Sequence, residues 1–449
     1  MRIAVVGASG FVGRALSVEL VGAGHDVIGL SRHRPEIPEV EGHAVDVADG
    51  PALLEVLAGC ESAFYLVHSL SAGDFRSRDR ELAENFGRTA AAAGIERIVY
   101  LGGLGHEPES EHLSSRQEVG VSLASGQVPV VELRAAVVLG AGSISFEMLR
   151  YLTERLPFMV CPRWVRTKIQ PIASADVVRY LIGALEVEPG VYEIGGAEVT
   201  SYREMIGAYA TARGLRPRRI VDVPYLTPRL SSYWLDLVTP VDRRISHALI
   251  ESLATEVVVH DQARTDVAFA FEPAGLANGL SAALDDQAKA LDHDLLSRES
   301  GLCDGIYTVR VSAPISVEAS VRLDTDLDRI GGSYGWYGLT FAWRVRAKLG
   351  RLVGERWTLS SPPALIKGQT VDWWYVTRRD PGMLVLRATS WFFGDAWFGY
   401  QCGKGALVQV GAFRPLGVPG FFYWKLLQPV HRKVFDALAH YRVSRVGPS

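Results

Sequence analysis

Short apolar runs alternate with helically spaced apolar positions through the first half of the chain. Residues 2–6, 26–30, 43–47, 62–67 and 97–101 are runs of strand length. Residues 11–21, 51–58, 78–93 and 115–123 carry apolar side chains at helical spacing, and Gly22, Gly24 and Gly94 punctuate their ends. Segments 130–133 and 136–139 supply a sixth strand, and 191–195 a late one, followed by a helix over 202–213. Strands separated by helices at this spacing predict an α/β fold, a doubly wound parallel sheet.

The pattern changes after residue 300. Residues 306–311 alternate as a strand does, and 316–323 read as a short helix. Residues 331–338 are rich in glycine and aromatics, and 339–353 have helical spacing. Four strands follow at 370–377, 383–390, 396–402 and 406–413, with Asp380-Pro381-Gly382 as the hairpin turn between the first two. A long amphipathic helix over 417–440 ends the series. The expectation is an α+β domain, an antiparallel sheet with a long C-terminal helix. Its order resembles a START-like helix-grip fold, which implies a curved sheet wrapped around the last helix and a cavity between them.

Composition supports this division. The chain has 449 residues with a net charge of -3, but residues 1–300 carry -12 and residues 301–449 carry +9. Eight of the ten tryptophans lie in the second part. Two domains are expected, 1–298 (with a substrate-side segment over 140–298) and 303–445. Acidic and basic domains of one chain are expected to dock on each other; the alternative is a basic module facing an anionic ligand or membrane surface. No clustered basic run or known motif points to nucleic acid. No stretch of about 18 apolar residues is free of charge, so no transmembrane helix is expected. The four cysteines are far apart and form no CxxC pair, which argues against a metal site and fits a reducing cytoplasm. The opening MRIAVVGASGFVG lacks the long apolar core and cleavage site of a signal peptide and reads as a first strand.

That opening holds the strongest motif. Gly7, Gly10 and Gly13 are spaced GxxGxxG between a strand and a helix, with Ser9, Phe11 and Val12 among them. The first glycine makes the tight turn, the second admits a pyrophosphate, and the third lets helix and strand approach. The helix N-terminus then offers free amides to phosphate. An NAD site usually carries an acidic residue at the end of the second strand. Here the chain reads Ser31-Arg32-His33-Arg34, so Arg32, with Ser31 and Arg34, is suited to a 2′-phosphate. NADP(H) is therefore expected over NAD(H); the plainer reading of these residues is a solvated basic loop. Asp46, followed by Val47, is placed to bond the adenine amine, with Asp49 as rival or as cap of the next helix. Leu66, Val67 and His68 end the fourth strand, where such sheets gather ligands.

GASGFVG, YLVHSL (65–70), IVYLGGLG (98–105) and QPIASADV (170–177) resemble the short-chain dehydrogenase superfamily, in its atypical, epimerase-like branch. Segments 145–167 and 226–241 resemble two-domain bacterial proteins in which the dehydrogenase-like part precedes a conserved domain of unknown function. The resemblance implies a Rossmann fold, dinucleotide binding and an oxidoreductase. In that superfamily a Tyr, its pKa lowered by a Lys four residues later, moves the proton, and a Ser or Thr after the fifth strand holds the carbonyl. This chain departs from all three. Its fifth strand ends Leu101-Gly102-Gly103-Leu104-Gly105, His112 stands at the Tyr position and Arg116 at the Lys position.

Either His112 is a general acid/base beside Arg116, or the sheet binds dinucleotide without turnover as a sensor or scaffold. A nucleotide-sugar epimerase, a third reading, also needs the missing Tyr and Lys. On the substrate side, Arg163 and Trp164 could line a cleft, or form a surface turn with a packed Trp. Asp176 is expected to cap the helix over 177–185. Trp373, Trp374, Trp391 and Trp397 fall on strands of the second domain, as core or as the lining of a cavity. Phe421-Phe422-Tyr423-Trp424-Lys425 with His431-Arg432-Lys433 is expected to be buried in that domain rather than laid on a membrane. Together these point to a cytoplasmic, NADP(H)-binding oxidoreductase whose small-molecule substrate is a largely apolar carbonyl or alkene compound.

Overall fold

The structure is a computed structural model describing residues 1–68, 74–105, 111–223, 255–303, 305–331, 364–390, 393–403 and 405–446. The segments singled out at 226–241 and 339–353, and Trp391, lie outside the described residues. The chain packs as two compact units: residues 1–153 with 157–286, and residues 154–156 with 287–449.

Unit 1 is built on a seven-stranded parallel sheet. Its strands are β1 (Arg2–Val6), β2 (Asp26–Ser31), β3 (Glu41–Ala44), β4 (Ser62–Tyr65), β5 (Arg97–Gly103), β6 (Val130–Ala135) and β7 (Gly190–Ile194). The order across the sheet is β3-β2-β1-β4-β5-β6-β7, and every neighbouring pair is parallel. The strands are apolar on both faces because both are covered. Along β1, Ile3 and Val5 enter one core with Leu16 and Val177, while Ala4 and Val6 enter the other with Leu53 and Phe86. The connecting helices are α1 (Phe11–Gly22), α2 (Gly50–Leu57), α3 (Phe75–Ala93), α4 (Glu111–Ala124), α5 (Ile144–Arg155), α6 (Ser174–Gly183) and α7 (Tyr202–Ala212). The strand order reverses between β1 and β4, and the crevice beyond their carboxyl ends is where such sheets take ligands.

Some details differ from the sequence pattern. The sixth strand divides: β6 stays in the main sheet, whereas Val138–Leu139 pairs with Ile172–Ala173 instead. Asp176 does not cap α6. It lies within the first turn, where it accepts a hydrogen bond from the Ala274 amide at 2.7 Å and pairs with Arg179. It thus ties a distant segment to the helix start rather than closing it.

Unit 2 is an antiparallel seven-stranded sheet with a C-terminal helix. Its strands are β8 (Gly301–Cys303), β9 (Ile306–Pro314), β10 (Thr370–Val371), β11 (Trp374–Asp380), β12 (Met383–Ser390), β13 (Gly394–Gly403) and β14 (Ala406–Pro415). The order is β8-β9-β14-β13-β12-β11-β10. Helices α8 (Val317–Leu327) and α9 (Gly417–Val446) bury Leu323, Leu327, Trp424, Phe435 and Leu438 on one sheet face, against Val309, Leu386 and Phe398. Leu291, Leu295 and Leu296 cover the other face, over Val385, Trp397 and Val410. The hairpin turn forms where Pro381-Gly382 predicts it. Gly382 has φ +71°, and its amide donates to Asp324 at 2.9 Å. Trp374 is core, and Trp397 is buried with its indole N–H donating to Asp292 at 2.9 Å.

Candidate functional site

The turn between β1 and α1 is shaped by its glycines. Gly7 has φ +96°, a region that disfavours side chains, and a Cβ there would lie 2.9 Å from the Leu66 carbonyl oxygen. A Cβ on Gly13 would overlap the Gly7 carbonyl oxygen and lie 2.9 Å from the Ala8 Cα. Gly10 is the N-cap of helix α1, which has no side-chain cap and no acidic residue in its first turn. Its first amides are therefore free for an anion, with the positive end of the helix dipole behind them. This arrangement fits a dinucleotide pyrophosphate.

The end of β2 is joined to this turn, since the Ser9 amide donates to Ser31 Oγ at 3.0 Å. Arg32, His33 and Arg34 follow and are exposed. Arg32 makes no hydrogen bond or ion pair among the described residues. Beyond β3, Asp46 Oδ1 accepts from the Ala48 amide at 2.9 Å, and Asp49 caps α2 by accepting from Ala52 at 3.1 Å. The Val47 carbonyl accepts from Asn85 at 2.7 Å. These contacts order the loop beside the crevice.

A cavity of about 570 Å³ runs from the glycine-rich turn across the ends of β4 and β5. Gly7, Gly10, Phe11, Val12 and Gly13 form one end, and Leu66, His68, His112 and Arg116 lie farther along. The remaining wall is mostly apolar. Met148, Leu149 and Leu152 of α5 contribute, as do Met205 and Ile206 of α7. Met159, Cys161 and Val165 come from segment 158–166, and Tyr202 and Val257 complete the wall. Sequence reasoning missed this apolar wall, whose members are scattered over a hundred residues. The only signal was the apolar spacing of 146–156, which reads equally well as core.

The cavity gathers several expected residues and not others. Ser9, Ser31, Arg32, Asp46, Val47 and Val67 are outside it, on the β2–β3 side or in the core. Arg163 is exposed and is not part of the wall; Val165 of the same short helical turn is. The side chain of Trp164 lies outside the described residues.

The polar groups form one cluster. Arg116 reaches from α4 to donate to the Leu101 carbonyl at the end of β5, and its own carbonyl accepts from Tyr100 Oη at 2.9 Å. Its guanidinium lies 5.5 Å from the centre of the Tyr100 ring. Gln117 donates to the Gly105 carbonyl at 2.5 Å, fixing α4 to the loop after β5. Burial first, then the Arg116 charge, lowers the His112 pKa to about 4. His68 is pushed down by surrounding protein, then by Arg116 and His112. His68 is nonetheless exposed, which tempers that desolvation. Both imidazoles are neutral at pH 7, with a lone pair available as base and an N–H as donor. Burial also raises the pKa of the Tyr202 phenol, so it stays protonated.

Known proteins give context. Residues 7–127 match the family model described as NAD(P)H-binding, and residues 307–438 match one described as a protein of unknown function (DUF2867). An uncharacterized protein of Mycobacterium tuberculosis is 29% identical over 187 residues, 41% of this chain and 20% of that protein. The matched region thus spans about a fifth of that relative's length. A dTDP-6-deoxy-L-talose 4-dehydrogenase (NAD(P)(+)) of Kitasatospora kifunensis is 25% identical over 264 residues, 50% of this chain and 82% of the relative. A 2-alkyl-3-oxoalkanoate reductase of Stenotrophomonas maltophilia is 32% identical over 144 residues, 29% of this chain and 40% of the relative. Among solved structures, MoeE5 in complex with UDP-glucose and NAD superposes with a TM-score of 0.51 at 18% identity, covering 65% of this chain and all of that one. The chain therefore carries an NAD(P)-binding Rossmann domain, whose fold the solved structures share, followed by a C-terminal domain that matches DUF2867.

Proposed function

We propose that this protein is an NADP(H)-dependent oxidoreductase acting on a largely apolar carbonyl or alcohol substrate. The observation that carries the reading is the cavity: it continues from the dinucleotide turn into an apolar wall, with two neutral imidazoles between. Gly7, Gly10 and Gly13 would admit the pyrophosphate, with the α1 amides as donors, and Ser31 with Arg32 would hold the 2′-phosphate. The cofactor supplies or accepts the hydride. His112 would move the proton at the substrate oxygen: as a neutral base it takes the hydroxyl proton during oxidation, and the proton then passes to solvent. Arg116 holds α4 against β5 and so positions His112. Leu149, Leu152 and Met205 would exclude water from the reacting carbon. The likeness to a reductase named for a 2-alkyl-3-oxoalkanoate supports a substrate with an apolar chain.

A second reading is favoured by one feature. Arg116 spends its guanidinium on the Leu101 carbonyl, as a strut would, which suits NADP(H) binding without turnover. A nucleotide-sugar epimerase is less well supported, because the wall beyond His112 offers few hydrogen-bonding groups to a sugar.

Calorimetric titration with NADPH, NADH, NADP⁺ and NAD⁺ tests the cofactor site. NADPH should bind most tightly, and Arg32→Ala should weaken it about tenfold or more while leaving NADH unchanged, as expected for one charged hydrogen bond. Binding of none of the four would remove the oxidoreductase reading. If NADPH binds, a screen of apolar ketones and alcohols on wild type and His112→Ala decides between enzyme and sensor.

A further inference from the structure

Helix α9 was expected to be buried, and half of its aromatic segment is. Trp424 and Phe435 are in the core, with Trp424 stacked on Phe413 at 5.2 Å between ring centres. The outer face is different. Phe422 is 64% exposed, Leu426 78% and Val430 53%. These three are four residues apart, so they form one stripe along the helix. Phe421 at its N-terminal end and Tyr441 near its C-terminal end are also exposed, as is Pro429. Lys425, Arg432 and Lys433 are exposed beside the stripe, with Asp436 as the one acidic residue from 421 to 436.

We infer that this face of α9 lies on an anionic lipid surface, with Phe422, Leu426 and Val430 entering the headgroup boundary and Lys425, Arg432 and Lys433 pairing with lipid phosphates. An apolar stripe kept in water marks an interaction surface, and a cationic flank suits it to an anionic lipid boundary. Charge complementarity selects the occupant. Residues 301–449 carry +9, which favours an anionic membrane over a neutral one. A second copy is disfavoured, because two-fold pairing of this face would oppose three cations on each side. Among the described residues no helix is long and apolar enough to cross a membrane. The inference does not rest on the oxidoreductase reading.

The test uses the full chain and flotation with vesicles of pure phosphatidylcholine or of equal parts phosphatidylcholine and phosphatidylglycerol. The protein should float with the anionic vesicles and be released by high salt. Lys425→Gln with Lys433→Gln should weaken binding about fivefold for each cation removed. Phe422→Ser with Leu426→Ser should weaken it about tenfold or more, from the lost apolar contact. Unchanged melting and dinucleotide titration would show that these surface variants are folded. Failure to float with either vesicle overturns the inference, as does flotation indifferent to both pairs of substitutions. Light scattering that shows a dimer broken by Phe422→Ser with Leu426→Ser assigns the face to a second copy and also overturns it.

Discussion

Adding one methyl group at Gly13 should disable dinucleotide binding with little effect on the rest of the fold. The Gly13→Ala Cβ would overlap the Gly7 carbonyl oxygen and lie 2.9 Å from the Ala8 Cα. Ordinary contact begins at 3.4 Å, so turn and helix have to part by about 0.5 Å at Ala8 and by more at the carbonyl. Overpacking of this kind costs about 1–3 kcal/mol. At about 2–4 °C per kcal/mol for a unit of this size, unit 1 should melt several degrees lower. Binding should fall by a comparable free energy, because the shifted backbone carries the amides that would hold the pyrophosphate. Losing one charge-assisted hydrogen bond costs about 1.5–3 kcal/mol, which weakens NADPH on the order of tenfold to a hundredfold.

Gly22→Ala is the control. It sits at the last residue of the same helix with nothing within 4 Å of the new Cβ. It should leave binding unchanged and stabilise the helix by up to about 1 kcal/mol. Melting curves and calorimetry on the two variants give the answer together. If Gly13→Ala melts lower yet binds NADPH as wild type does, the turn is a packing device and the phosphate-binding argument fails. Should Gly13→Ala not fold, Gly10→Ala makes a gentler probe, since its Cβ would lie 3.1 Å from the Gly7 oxygen.

Acid should destabilise the protein through its histidines. His112 and His431 are both lowered to about 4 by burial. The unfolded chain takes up protons near pH 6.5 and the folded one does not, so stability is full above 6.5 and declines as pH falls towards 4. The loss is up to about 1.4 kcal/mol per pH unit for each histidine. Melting followed from pH 7 to 4 checks this, and His431→Gln should flatten the decline. If His112 is the base for alcohol oxidation, the rate should be level near neutrality and fall as pH drops towards 4; a fall centred near 6.5 would assign the proton transfer elsewhere. In unit 2, Arg414 is 3% exposed and holds the fully buried Asp395 at 2.5 Å. Arg414→Leu should cost about 3–5 kcal/mol in denaturant unfolding by leaving that carboxylate without its cation. Asp395→Leu added to it should recover most of the loss.

The parallel sheet and its glycine turn were legible because each demand falls on adjacent residues. A strand covered on both faces has to be apolar throughout, and a turn with φ +96° next to a carbonyl oxygen has to be glycine. The later strands of unit 2 were legible for the same reason, since alternation and a Pro-Gly turn are local; the run expected as one strand over 370–377 is instead two, β10 and β11, which pair across a turn at Asp372-Trp373 where Asp372 has φ +52°, so Trp373 lies in the turn. The cavity wall was not. Met148, Cys161, Met205 and Val257 meet only because α5, α7 and the segments between them fold back over the sheet ends, and each reads as core by itself. The face of α9 was misread for a related reason. Its composition resembles a buried helix, and only the angular position of Phe422, Leu426 and Val430, away from Trp424 and Phe435, places them outside.

The departure at the end of β5 has a structural cause that links three separate sequence features. Glu132 of β6 is buried and pairs with Arg134, with Nε and Oε1 2.8 Å apart. Its carboxylate fills the space beside two glycines. A Cβ on Gly102 of β5 would lie 2.8 Å from Oε1, and one on Gly120 of α4 would overlap Oε2 and lie 2.7 Å from the carboxyl carbon. The space beside Gly102 is therefore occupied from the neighbouring strand, and a Ser there could not be accommodated without moving Glu132. The same packing lets α4 approach β5 closely enough for Arg116 to reach the Leu101 carbonyl. Glu132, the glycine pair and Arg116 thus form one interlocking unit. It leaves no room for a side chain at Gly102, and it sets Arg116 beside His112, on the first turn of the same helix, where both line the cavity.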